Sequence, residues 1–275
     1  SVAEPWEEYN VVRYVSEAKE AVNEIFEKLS ALPQVEAIAL GGSRANGVFD
    51  EKSDYDVYVY VTDNIDNGVR ENILAPYCSQ MEIGNHYWEF EDNIILKDGV
   101  PMDIIYRPMD KFDKFISYIV FEHHASHGYT TCFWHNIITS QIVYDPSGKY
   151  AEIKKKFTVP YPEELRQNII DLNMKMLSGV LPSYDKQIKK AIDRNDFVSV
   201  NHRTAAFVAS YFDVIFAVNR LTHPGEKRLV QLCKGRCEIL PKDFEENLDK
   251  LLKEKPTEKI MEVIADMVKN LKEII

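Results

Sequence analysis

The sequence predicts an α+β fold. A mixed β-sheet flanked by helices runs through about residue 111, and an all-α helical bundle follows from 112 to 275. Three observations predict it. Asp54-Tyr55-Asp56-Val57-Tyr58-Val59-Tyr60-Val61 is dense in β-branched and aromatic residues and reads as a strand. Shorter apolar runs on either side, up to Tyr106, read as further strands after a leading helix. Beyond about 112 the apolar residues recur at helical spacing, interrupted by Pro160, Pro162, Pro182, Pro224-Gly225, Pro241 and Pro256.

Taken in order, residues 6–31 carry Tyr9, Val12, Val15, Ala18, Val22, Ile25, Phe26 and Leu29 with charges between them, which predicts an amphipathic helix stopped by Pro33. Val35–Leu40 is a short strand that runs into Gly41-Gly42-Ser43, and a turn-rich stretch leads from Arg44 to Ser53. After the strand at 54–61, candidate strands fall at His86–Phe90, Asn93–Lys97 and Val100–Tyr106, with Asp98-Gly99 as a hairpin turn. Helices are predicted at 112–127, 163–179, 184–193, 196–221, 226–234, 242–253 and 257–274. The domain boundary is placed between residues 111 and 112.

Composition narrows the function classes. The chain has 275 residues, and 44 acids against 33 lysines and arginines give a net charge of −11. That balance argues against long nucleic acid as the main partner, because grip on a phosphate backbone calls for a basic surface, and it suits a small or cationic ligand. No apolar run is long enough to span a membrane. The acidic opening Ser1–Glu8 does not read as a secretory signal, and the four scattered cysteines suit a reducing cytoplasm, the expected location.

The chemistry concentrates between residues 41 and 106. Gly41 and Gly42 free the backbone to approach a ligand, and amides after Ser43, should 44–49 form a helical turn, would face an anion such as phosphate. Ten residues later Asp54 and Asp56 point to one side of a strand. Two such carboxylates repel unless a cation lies between them, and magnesium takes carboxylate, phosphate and water oxygens together. Asp103, a lone acid in the apolar run Val100–Tyr106, is the third carboxylate expected on a neighbouring strand. Glu89 and Glu91 in Tyr87-Trp88-Glu89-Phe90-Glu91, placed on one strand face, are candidates for an acidic wall around a cationic acceptor. His123 and His127 stand four apart, but nothing completes a metal set and they read as helix-surface or packing residues. Cys233 and Cys237 read as packing residues, and the 257–274 helix as a bundle helix.

Gly42-Ser43-x10-Asp54-x-Asp56 with Asp103 downstream resembles the signature of the DNA polymerase β-like nucleotidyltransferase superfamily. The longer stretches Gly41–Gly47 and Ser53–Asp56 are similar to the aminoglycoside and lincosamide nucleotidyltransferase branch, and to two-domain bacterial relatives of unknown function. The resemblance implies a magnesium-dependent enzyme using two ions, with a nucleoside triphosphate as co-substrate and a small molecule as acceptor. Asp54, Asp56 and Asp103 would be its metal-holding and catalytic residues. Gly42, Ser43, Arg44 and, in His223-Pro224-Gly225-Glu226-Lys227-Arg228, Lys227 would hold the nucleotide. Two alternatives stand beside this reading: transfer to a protein or an RNA end, and a non-catalytic nucleotide-binding or interaction module.

Overall fold

The computed structural model describes residues 20–42, 53–86 and 89–275. Contacts divide the chain into two compact units, one formed by residues up to 116 together with 136–159, the other by 117–135 together with 160–275. The first unit is thus discontinuous in sequence, whereas a division at residue 111 leaves 136–159 with the helices.

The first unit is built on helix α1 (Glu20–Ser30), strands β1 (Val35–Gly41) and β2 (Tyr55–Val61), helix α2 (Asn67–Leu74), strands β3 (Cys78–Asn85), β4 (Glu91–Leu96) and β5 (Pro101–Pro108), helix α3 (Met109–Val120), strand β6 (Gln141–Tyr144) and helix α5 (Lys149–Phe157); α4 (Cys132–Thr139) lies between α3 and β6. The six strands form one sheet in the order β3-β4-β5-β2-β1-β6. β2 and β5 are parallel and every other pair is antiparallel, so the sheet is mixed, as expected. One face meets α1, whose Val22, Ile25, Phe26 and Leu29 are fully buried in a core shared with Leu40, Val57, Val59, Met102 and Ile104. Each such side chain contributes on the order of 1.5–3 kcal/mol by leaving water.

Two strand expectations shift. Of the strand expected at His86–Phe90, residues 87 and 88 lie outside the described residues, and His86, Glu89 and Phe90 are not in a strand; β3 precedes them at Cys78–Asn85 and escaped notice because it is an edge strand, largely exposed and polar. β6 is only four residues long and lies inside the region expected to be helical. The Asp98-Gly99 turn is present, with Gly99 at φ 90° and its amide donating to Leu96 O at 2.8 Å. The part of the first helix before residue 20 lies outside the described residues.

Beneath β4 and β5, on the α1 side, Arg70 and Asp92 form an ion pair with both side chains fully buried. Asp92 accepts from Arg70 Nε at 2.9 Å, Tyr106 Oη at 2.8 Å and the Gly84 amide at 2.8 Å. Arg70 also donates to Asn67 Oδ1 and to the Ile65 carbonyl. A buried carboxylate is tolerated when its lone pairs are filled in this way.

The second unit contains α6 (Glu163–Leu177), α7 (Tyr184–Asp193), α8 (Phe197–Val218), α9 (Leu229–Arg236), α10 (Phe244–Lys253) and α11 (Glu258–Lys272), close to the predicted spans. The helix expected at 112–127 ends at Val120, and His123 takes a left-handed conformation at φ 61°. His123 and His127 therefore do not share a helical face. The buried polar centre of this unit is Asp213 on α8, which accepts from Thr130 Oγ1 at 2.6 Å, the Thr130 amide at 3.2 Å and Asn173 Nδ2 at 3.3 Å. Among the described residues no helix is long and apolar enough to cross a membrane.

Two outcomes follow from these buried groups. Arg70→Ala strands Asp92 without its cation and is expected to cost about 3–5 kcal/mol in urea unfolding. Burial raises the Asp213 carboxyl to about 7, although Thr130 and Asn173 pull the other way. The folded chain then keeps this proton up to about pH 7, whereas the unfolded chain releases it near pH 4. Asp213 thus contributes stability at low pH that is lost as pH rises from about 4 to about 7. His135 and His223, lowered by burial to about 4 and about 3, act in the opposite direction over the same range. Comparison with Asp213→Asn isolates the aspartate: the stability difference, wild type minus variant, should fall by up to about 1.4 kcal/mol per pH unit in that window. Parallel stability curves from pH 4 to 7 would contradict this.

Candidate active site

The second face of the sheet carries the acids. Along β2, Tyr55, Val57, Val59 and Val61 enter the core, so Asp56, Tyr58 and Tyr60 point the other way. Along β5, Met102, Ile104 and Tyr106 enter the core, and Asp103, Ile105 and Arg107 share the face of Asp56. The parallel register pairs Asp56 with Asp103 directly. Because neighbouring strands run about 4.8 Å apart, the two half-buried carboxylates are held side by side by backbone pairing alone. The same transverse row continues through Asn93 on β4 to Glu82 on β3, and on the other side through Gly41 on β1.

Both glycines have a steric reason in this row. A Cβ on Gly41 would fall 2.5 Å from Tyr58 Cε2. A Cβ on Gly42 would collide with Asp56 Oδ2, and Gly42 adopts φ 66°, which glycine alone takes at little cost. The Gly-Gly pair thus lets the chain turn away from β1 directly over the Asp56 carboxylate.

Asp54 is exposed and precedes β2. Ser43 and Arg44 lie outside the described residues. Lys227 is exposed in the turn before α9, in the second unit. Among the described residues no group of three or more histidine, cysteine or acidic side chains is placed to hold one ion. The pair in register is Asp56 with Asp103, an all-oxygen set of the size magnesium takes when substrate phosphates and water complete its shell.

Glu89 and Glu91 separate. Only Glu91 belongs to a strand; Glu89 sits in a bend and forms a two-pronged pair with Arg107, Nε to Oε1 and Nη2 to Oε2, both at 3.0 Å. Arg107, itself buried, also donates to Asn136 Oδ1 at 2.9 Å and lies over the Tyr58 and Phe112 rings. The charge of Glu89 is therefore spent on a structural cation. Glu91, 7% exposed, faces the acid row, and burial, then the charge of Asp103, raises its carboxyl.

Sequence reading missed Asn85 and Asn93. Asn93 Nδ2 donates to Asp103 Oδ1 at 2.6 Å, and Asn85 Nδ2 donates to Asn93 Oδ1 at 2.6 Å. The available signal was the alternation of β4, in which Glu91 and Asn93 are polar at the phase opposite Ile94 and Leu96.

Residues 21–127 match the family model described as nucleotidyltransferase domain. The chain carries a nucleotidyltransferase domain. Residues 129–229 match a domain of unknown function, DUF4037. The nucleotidyltransferase domain is the one the glycine and aspartate motif resembled. Among solved structures the chain is similar to a nucleotidyltransferase-like protein from Exiguobacterium sibiricum 255-15, at 10% identity and a TM-score of 0.43, covering 93% of this chain and 73% of that one. It is also similar to an aminoglycoside 6-adenyltransferase from Bacillus subtilis (12% identity, TM-score 0.33, 94% and 90% covered). A spectinomycin adenyltransferase from Enterococcus faecialis gives 13% identity and a TM-score of 0.31, with 92% and 97% covered. No curated protein sequence matches the chain.

Gly42→Ala tests the packing over Asp56. The left-handed backbone alone should cost about 1–2 kcal/mol, read as a lowered thermal midpoint, and the added methyl should displace the Asp56 carboxylate. A variant as stable as wild type, with an unmoved Asp56 in its crystal structure, would refute the steric account of this glycine.

Proposed function

We propose that this protein is a metal-dependent nucleotidyltransferase that moves a nucleoside monophosphate, AMP from ATP, onto a hydroxyl of a small acceptor and releases pyrophosphate. The observation that carries this reading is the pairing of Asp56 with Asp103 in register on parallel strands beside Gly41-Gly42, within a domain of that family. An acceptor hydroxyl oxygen forms a bond to the α-phosphorus in line with the bridging oxygen of the leaving pyrophosphate, and that phosphorus–oxygen bond breaks. Asp103 takes the hydroxyl proton, directly or through water. Asp54, Asp56 and Asp103 would hold two magnesium ions, which when bound supply charge stabilisation for the attacking and leaving oxygens. Ser43, Arg44 and Lys227 are assigned to the phosphates, with Gly42 leaving room for their approach.

The acceptor is read as small and cationic or polyhydroxylated, an aminoglycoside-like chemistry. Its support is the acid-rich face and the net charge of −11. Within that face Glu91 is the stronger candidate for acceptor contact, since Glu89 is committed to Arg107.

Pyrophosphate release from ATP and magnesium across a panel of aminoglycosides and polyols tests the reading. Asp56→Asn and Asp103→Asn should each lower the rate by about 100-fold or more, corresponding to several kcal/mol of lost charge stabilisation, with the fold retained by circular dichroism. Tight nucleotide binding without release for any acceptor would favour the non-catalytic module. Transfer only to protein or RNA ends would move the acceptor class. Glu91→Gln should raise the KM for a cationic acceptor about 10-fold, an energy of about 1.4 kcal/mol, with triphosphate KM unchanged. Glu89→Gln should instead lower stability, by loosening Arg107.

A further inference from the structure

The geometry points to Asn93, held in orientation by Asn85, as the positioning residue that fixes which oxygen of Asp103 faces the reaction. This rests on the reading of Asp56 and Asp103 as the metal-holding pair.

An ionised carboxylate only accepts hydrogen bonds, so the group touching Asp103 Oδ1 at 2.6 Å must be a donor, and Asn93 is obliged to present Nδ2. That choice turns Asn93 Oδ1 outward, where it needs a donor in turn. Asn85 supplies one through Nδ2, also at 2.6 Å. The polarity of the whole line is thus set at one end by Asp103 and ends at Asn85 Oδ1, a buried acceptor with no hydrogen-bond partner among the described residues. Reversing either amide would set oxygen against oxygen somewhere along the line. The strand geometry supports this path: Asn93 pairs with Asp103 across β4 and β5, and the register shift between Glu82 and Asn85 on β3 brings Asn85 within reach of Asn93.

With Oδ1 engaged by Asn93, Oδ2 is the Asp103 oxygen assigned by this inference to the ion shared with Asp56. Outer hydrogen-bond partners of this kind orient metal-holding carboxylates, and their loss typically costs about 10–100-fold in metal affinity or activity. Neither asparagine is called on to touch substrate.

Manganese binding followed by electron paramagnetic resonance, with and without a non-hydrolysable ATP analogue, gives a readout that does not require turnover. Asn93→Ala should weaken binding by about 10–100-fold with the fold retained by circular dichroism. Asn85→Asp should do the same although residue 85 does not touch Asp103, because the new carboxylate demands Asn93 Nδ2 and turns Asn93 Oδ1 onto Asp103. Variants that bind manganese within twofold of wild type would overturn the relay while leaving the metal site standing. Should wild type itself bind no manganese, the metal reading fails, and the relay is judged by the Asn93 side-chain amide resonances in nuclear magnetic resonance. These should shift in Asp103→Ala and in Asn85→Asp if the relay exists, and stay unchanged in both if it does not.

Discussion

The parallel pairing of β2 with β5 is the constraint on which the acid-bearing face depends. It brings two acids more than forty residues apart in sequence onto facing positions, Asp56 against Asp103. Two like charges in register on adjacent strands disfavour folding. The fold tolerates them because the opposite face of the same strands is a full apolar core and because Asn93 donates to one of them. The strain of the pair is therefore offset locally, by a hydrogen bond, and globally, by the burial of Val57, Val59, Met102 and Ile104.

The two faces of β4 divide the labour. On the core side Asp92 is saturated by Arg70, Tyr106 and the Gly84 amide, which ties β4 to α2 and to the end of β3. On the other side Asn93 lies in the acid row and Glu91 on the same face beside it. A one-residue slip of β4 would exchange these sets, moving Glu91 and Asn93 into the apolar core without partners and Asp92 away from Arg70 to the opposite face. The Arg70–Asp92 pair therefore acts as a register lock for the strand that carries Asn93. Its stabilising value comes second to that role, since buried ion pairs repay their desolvation only with such complete hydrogen bonding.

Much of this was legible in the sequence where the signal was periodic. The alternation of Tyr55–Val61 located β2 and put Asp56 on the face away from the core; the stripes of α6, α7, α8 and α11 located those helices to within a few residues. Asp103 stood out as a lone acid among apolar neighbours. What escaped has a common physical cause. β3 lies at an edge and has no buried face to impose alternation, and β6 is too short to show any period. The Asn85–Asn93–Asp103 line needs pairing across three strands, which local pattern does not contain. The helical spacing of His123 and His127 misled because a left-handed residue interrupts the chain between two apolar stretches that each look helical. Ser43 and Arg44, on which the phosphate-binding expectation rests, lie outside the described residues.

The return of residues 136–159 to the first unit also bears on how such a chain is assembled. The sheet lacks its last edge until β6 has been synthesised, and until then β1 presents unpaired amides and carbonyls along the strand that leads into Gly41-Gly42. An open edge of that kind is a site for pairing with other chains. During translation the intervening segment 117–135, which belongs to the second unit, must leave the ribosome before the first can close. The acid-bearing sheet is thus not a cassette that a single cut can transplant: an exchange between relatives at residue 111 would carry the aspartates but leave behind the strand that seals their sheet.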